Sequence, residues 1–250
     1  ALTSAEVISG GDGSDTLLID VDAGSATIAA DLSNMTSIET INLNGTGADS
    51  ITLSDSIFAS NGVPTLKVFD GQAGDTFGVS AGGLAAGNNV QVFVASATDA
   101  VQTVTTGAGN DAVFFWNGVT TGTGSGFDDA DTINLGAGTD TIAVYLSGNA
   151  DHSATYTNVK NIENLTFALI SGNSTVSATL DDANFVSVAG TVTAAGVTGA
   201  TTINAVAEND SGLTIIGGNG VDTITGTDTL AIGDTINGGA GADIIDGSLG

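Results

Sequence analysis

Residues 217–225 read GGNGVDTIT, a glycine-rich turn that ends on Asp222 and runs straight into the alternating stretch Thr223-Ile224-Thr225. The phrase recurs as GGDGSDTLL at residues 10–18 and as GGAGADIID at residues 238–246. Looser copies stand at residues 44–52 (NGTGADSIT), 106–114 (TGAGNDAVF) and 135–143 (LGAGTDTIA). Degenerate copies end on Asp75, Asp131 and Asp234. The motif aspartates are therefore Asp15, Asp49, Asp75, Asp111, Asp131, Asp140, Asp222, Asp234 and Asp243, with Asp131 and Asp140, and again Asp234 and Asp243, nine residues apart. Self-similarity of this kind marks a repeat architecture in which each coil packs on its neighbours.

The chemistry of the repeat follows from its residue types. Glycine adopts positive φ without penalty, so successive carbonyls can turn toward one point. The aspartate adds charge at the end of the turn. Calcium takes about six to eight hard oxygens, more than one such turn supplies, so two turns stacked along a solenoid are needed for each shell. The candidate ligand positions are Gly10, Asp12 and Asp15; Gly45, Gly47 and Asp49; Asp75; Gly107, Gly109 and Asp111; Asp131; Gly136, Gly138 and Asp140; Gly217, Asn219 and Asp222; Asp234; and Gly238, Ala240 and Asp243. Such sites do not exist in the unfolded chain, which couples several calcium ions to folding.

Composition agrees. Of 250 residues, 28 are acidic and two basic (Lys67 and Lys160), a net charge of −26. That balance excludes nucleic acid, whose phosphates nothing here could neutralise, and an anionic membrane surface. It also strains a compact fold by self-repulsion, which bound cations relieve. Only four acids are glutamate (Glu6, Glu39, Glu163, Glu208); the rest are aspartate, the residue of turns and calcium loops. With 37 glycines, one proline and aromatics at 5%, the chain reads as all-β with little helix, its core built from aliphatic and β-branched side chains. There is no cysteine, hence no disulfide or thiolate site. No apolar run is long enough to span a membrane.

Elsewhere the chain is expected to divide into a solenoid stretch with dispersed repeats (1–146), a repeat-poor β segment continuing the solenoid (147–212) and a dense repeat region (213–250) expected to continue beyond this segment. Residues 37–43 alternate apolar and polar as a half-buried strand should, and the Ile38-Glu39-Thr40-Ile41 phrase is echoed by Ile162-Glu163-Asn164-Leu165. A short helical turn is expected at residues 55–60, with Asp55 able to cap it. Aspartates about 18–21 residues apart are expected to stack on one edge, which pairs Asp222 with Asp243 and Asp111 with Asp131. His152, beside Asp151, reads as surface decoration, and the acidic turn at residues 208–210 as solvated. Of Phe114-Phe115-Trp116, not all can face inward; a core residue with covered neighbours and a subunit contact both fit. A single histidine excludes a zinc-protease pair, and neither a G-x-S-x-G elbow nor a phosphate loop occurs, so a non-enzymatic protein is expected.

The segments at residues 10–18, 217–225 and 238–246 resemble the nonapeptide G-G-x-G-x-D-x-U-x of the RTX (repeats-in-toxin) family. The resemblance implies a right-handed parallel β-roll or β-solenoid, calcium in the turns, and type I secretion from Gram-negative bacteria. The dispersed repeats are more similar to RTX-type surface-layer proteins and large RTX adhesins than to tight nonapeptide arrays. The expected role is a secreted, cell-surface structural protein that self-associates into a lattice or filament, with an anionic cell-surface polysaccharide bridged by calcium as a further partner and no membrane insertion. The alternatives are a secretion and folding module of an enzyme whose catalytic part lies elsewhere, and the stalk of an adhesin.

Overall fold

Ten strands, each short and each following a turn, pair side by side and all in parallel to form one long sheet. They are Thr16–Asp20, Thr40–Asn44, Thr65–Asp70, Asn89–Val94, Ala112–Trp116, Thr141–Leu146, Asn164–Leu169, Gly190–Thr193, Leu213–Ile216 and Thr235–Asn237. Between successive members the chain crosses to two further sheets, a six-stranded one (Thr27–Ile28 through Val159–Lys160) and a five-stranded one (His152–Thr155 through Ile244–Asp246) whose first strand shares a coil with the last strand of the six-stranded sheet. A two-stranded pair, Ile8–Ser9 with Met35–Thr36, completes the set. The chain is thus a parallel β-solenoid. The computed structural model describes residues 6–20, 24, 26–28, 32–71, 76–95, 100–116, 126–149, 151–186, 189–209, 212–226 and 233–247.

The core is a direct consequence of period-two patterning in stacked strands. One inward column of the long sheet runs Leu17, Ile41, Val68, Val92, Val113, Ile142, Leu165, Val192, Ile215 and Ile236 in consecutive register. The opposite face answers with Ile28, Ile51, Val79, Val104, Ile133 and Val159. β-branched side chains suit this arrangement because each ladder position meets a near-identical neighbour one strand away.

Coil length varies, from 21 residues where Asp111 faces Val90 to 29 where Asp140 faces Asp111. The extra length is spent in the connections, so the strands keep their register while the turns do not recur at a fixed interval. The helix Asp55–Asn61 is one such connection. It forms as expected, but Ser54 occupies its N-cap and Asp55 instead accepts the Ala85 amide and the Asn88 side-chain amide of the next coil. Gly62 ends the helix at φ 74°.

Several expectations are corrected by burial. His152 is in the core, 1% exposed, with Nε2 2.9 Å from the Tyr156 hydroxyl and its ring among Phe127, Tyr156 and Phe167. It lies on an inward position of His152–Thr155, and burial pushes its imidazole down to about 4. Glu208 is likewise fully buried rather than solvated. In the aromatic triplet, Phe115 points inward and is fully buried, whereas Phe114 faces out and stacks between Phe93 and Tyr145; Phe69 extends that outer ladder and Trp116 rests on Tyr145. The strand expected across residues 37–43 starts only at Thr40, because Ser37 takes a positive φ of 54° and turns the chain first.

Candidate calcium-binding turns

The repeat aspartates stand at the entrances of strands, on two edges of the solenoid. Asp15, Asp111, Asp140 and Asp234 each immediately precede a strand of the long sheet. Asp49 opens a strand of the opposite face, and Asp131, Asp222 and Asp243 immediately precede one. The nine-residue spacing of Asp131 and Asp140, and of Asp234 and Asp243, carries the chain from one edge to the other, as two nine-residue halves of a coil require.

On both edges the aspartate does the same thing to the coil before it. One carboxylate oxygen accepts the backbone amide at the level below: Val90 to Asp111 (2.6 Å), Asp111 to Asp140 (2.7 Å), Leu213 to Asp234 (2.8 Å), Ala26 to Asp49 (2.6 Å), Gln102 to Asp131 (2.7 Å), Thr201 to Asp222 (2.7 Å) and Asp222 to Asp243 (3.1 Å). Asp49 and Asp222 use the second oxygen to accept the amide of their own turn's glycine four residues back, Gly45 and Gly218, and Asp131 that of Asp128. Charge-assisted bonds of this kind are short and directional, so each carboxylate is fixed in place.

Two pairs of repeat turns lie directly on each other. Residues 106–111 carry residues 135–140: the Ala137 amide donates to the Gly107 carbonyl (2.9 Å), and the Thr139 amide to the Asn110 side chain (2.9 Å). Gly136 and Gly138 have positive φ, and a Cβ there would strike the carbonyls of Gly107 and Gly109. On the other edge residues 217–222 carry residues 238–243, with the Ala240 amide on the Gly218 carbonyl (3.0 Å) and Gly239 and Gly241 over the carbonyls of Gly218 and Gly220. Only glycine permits backbones this close, and the result is a cradle lined with carbonyl and carboxylate oxygen.

Electrostatics make the first edge expensive without a cation. Asp140 is fully buried, and burial, with the charges of Asp111 and Glu163 added, pushes its carboxyl up to about 7 against the pull of the Asp111 amide. Burial also raises Asp111. On the other edge it raises Asp131 to about 7, aided by the charge of Asp128 and opposed by the amides of Asp128 and Gln102. The second oxygens of Asp15 and Asp140 are buried without a hydrogen-bond partner. That of Asp111 sits by Thr106 and Gly107, but the Thr106 hydroxyl donates to the Leu135 carbonyl instead. Unsatisfied buried carboxylate oxygens beside carbonyls are a hard, oxygen-only donor set, which fits calcium. The aspartates of each stacked pair with the glycine carbonyls between them would hold it. Among the described residues no three acidic or histidine side chains group as a metal site by themselves, so backbone oxygens are required.

The other expected positions are distributed less simply. Asp111 and Asp131, expected to stack, lie on opposite edges, and Asp111 stacks on Asp140 across the 29-residue coil. Asp222 and Asp243 do stack, 21 residues apart. Gly10 packs under the Ser37 carbonyl and beside Asp15, while Asp12 is exposed. Asn219 is exposed and its amide donates to the Val197 carbonyl. Gly47 is half-buried in the Asp49 turn. Asp75 lies outside the described residues. Two residues of the long-sheet edge were passed over: Glu39 accepts the Asp15 amide (2.8 Å) and Glu163 the Asp140 amide (2.5 Å). Their signal was present in the sequence, since Glu39-Thr40-Ile41 and Glu163-Asn164-Leu165 match the acid, polar, aliphatic order of Asp140-Thr141-Ile142.

Residues 3–18, 125–142 and 233–250 match the family model of the RTX calcium-binding nonapeptide repeat (4 copies). These segments contain Asp15, Asp131, Asp140, Asp234 and Asp243. No match was found among curated proteins or among solved structures. Among the described residues no helix is long and apolar enough to cross a membrane. The chain is thus a β-solenoid in which three segments match the RTX calcium-binding repeat.

Proposed function

We propose that this chain is a non-enzymatic structural solenoid of a secreted, cell-surface protein, in which calcium in the stacked glycine turns rigidifies the coils and supports self-association into a lattice or filament. One observation carries the reading. Asp140 is a fully buried carboxylate with one oxygen unpartnered, between two further acids, in a turn whose glycines Gly136 and Gly138 lie directly on the carbonyls of Gly107 and Gly109. A net charge of −26 needs cations for the same reason. Affinities of an extracellular kind, on the order of 10⁻⁴–10⁻³ M, suffice. The outer aromatic ladder from Phe69 to Tyr145 and the half-exposed Trp116 support a contact between copies, and surface acids would let calcium bridge to an anionic polysaccharide.

Circular dichroism and negative-stain microscopy with calcium, then with excess EGTA, test both halves. A lower thermal midpoint of the β signal on chelation and assemblies only with calcium are expected. An unchanged midpoint would overturn the calcium reading. A folded, monodisperse monomer in calcium would overturn self-assembly and favour an adhesin stalk.

A further inference from the structure

Glu39 and Glu163 repeat one another in register, in hydrogen bonding to an aspartate and in the backbone before them, although neither belongs to a glycine repeat. Register places Glu163 level with Asp140, because Asn164 pairs with Thr141, and Glu39 level with Asp15, because Thr40 pairs with Thr16. Each glutamate accepts the amide of that aspartate through Oε2, and each donates its own amide to that aspartate's carbonyl, at 3.2 Å for Glu163 and 3.3 Å for Glu39. The carboxylate bond is the one that Asp140 makes to the Asp111 amide one coil earlier.

Their backbones repeat as well. Two residues before each glutamate stands a residue in the left-handed region, Ser37 at φ 54° and Asn161 at φ 55°, the only non-glycine residues with positive φ among the described residues. In three of the repeat turns the corresponding residue is a glycine that also has positive φ, at wider angles: Gly13 at 128°, Gly138 at 151° and Gly241 at 137°. Left-handed φ is strained for a residue with a Cβ and persists where surrounding structure requires it. Between the strained residue and the glutamate, Ile38 and Ile162 are buried in the core and pin the turn. The phrase is therefore a glycine-poor version of the repeat turn, with the longer glutamate arm where the repeat has aspartate.

We propose that Glu39 and Glu163 are calcium ligands, each closing a site with the repeat aspartate of the preceding coil, Asp15 and Asp140. Those two aspartates are the ones whose second oxygen is buried without a hydrogen-bond partner and whose next coil offers no repeat turn. An isolated repeat thereby gains a second carboxylate without a second glycine turn. The repeats at Asp15 and Asp140 can then stand alone on irregular coils, each followed by one Ile-Glu turn. The ligand class is a hard divalent cation, because the donors are all oxygen. The inference rests on the calcium reading above.

Calorimetric titration of chelator-stripped protein with calcium chloride tests it, on the wild type, Glu163→Gln and Glu39→Gln. Glutamine keeps an oxygen to accept the Asp140 or Asp15 amide and loses the charge. Each variant is expected to bind one ion fewer, or to bind one at least about tenfold more weakly, a loss seen even for groups that only support a metal ligand. The double variant loses two. Glu163→Asp, with charge kept on a shorter arm, should recover part of the loss. Circular dichroism in EGTA should not distinguish the glutamine variants from wild type. Unchanged stoichiometry and affinity in both folded variants, with a wild type that does bind, would overturn the ligand role alone. A wild type that takes up no calcium would overturn the calcium reading and this inference together. The two glutamates sit on different coils, so misfolding of one variant leaves the other as the test.

Discussion

The amide of Asp111 donates to Oδ1 of Asp140, 2.7 Å away and one 29-residue coil later. The bond ties two acidic residues whose charges repel. It orients Asp140 by a hydrogen bond while burial disfavours its ionised form. The calcium-free turn is therefore held in shape and short of positive charge.

Replacing Asp140 with asparagine separates those two effects. The amide oxygen still accepts the Asp111 amide, and the buried charge is gone. Calcium affinity should fall by about tenfold or more, while the urea midpoint measured in EGTA should stay level or rise. A lower midpoint in EGTA would mean that the charge itself stabilises the empty turn.

The glycines differ in what they exclude. A Cβ at Gly138, with φ 151°, would run into the Gly109 carbonyl, whereas Gly11, with φ 91°, has open space around it. Gly138→Ala should cost about 3 kcal/mol from strain and overpacking together. Gly11→Ala should cost about 1–2 kcal/mol from backbone conformation alone. Equal losses in chemical denaturation would show that stacking is not what the second glycine serves.

The raised carboxyls set a pH dependence for the calcium-free protein. Asp131 and Asp140 ionise near 7 when folded and near the ordinary 3.8 when unfolded. Between these values the folded state binds protons that the unfolded state releases, so these groups add stability as pH falls from 7 toward 4 and withdraw it as pH rises. In EGTA the wild type should lose more stability between pH 5 and pH 7 than the Asp131→Asn, Asp140→Asn double variant, measured by urea midpoints. Parallel profiles would refute the assignment.

His152 acts in the opposite sense. Its folded value near 4 lies below the ordinary 6.5 because a charged imidazole is disfavoured in the core. The unfolded chain takes up the proton first, so stability falls as pH drops from about 6.5 toward 4. In saturating calcium the wild-type midpoint should fall across that range, and His152→Phe should flatten the slope whatever its absolute stability.

The aromatic triplet offers a contrast of faces. Phe115→Ala empties a fully buried site and should cost about 3–5 kcal/mol. Phe93→Ala removes an outward ring stacked on Phe69 and Phe114 and should cost about 1–3 kcal/mol. Thermal or urea denaturation of the two variants checks the order.

Much of this was readable without coordinates. Glycine spacing, aspartate at the strand entrance and period-two aliphatic patterning are local properties, and they determined a parallel solenoid with oxygen-rich turns and strands such as Ala112–Trp116. The two-edge placement of Asp131 and Asp140 was implicit in their nine-residue separation. What the tertiary structure alone decided is which turns meet. Stacking depends on the length of every connection between two turns, and those lengths follow no local rule, so Asp111 stacks on Asp140 rather than on Asp131. The same holds for His152, whose inward position follows from the register of His152–Thr155 against Val176–Thr179 and not from its neighbours in sequence. It holds for Glu39 and Glu163 too. They look like strand residues in isolation, and become members of the acidic edge only when Ser37 and Asn161 turn the chain and the next coil brings them level with Asp15 and Asp140.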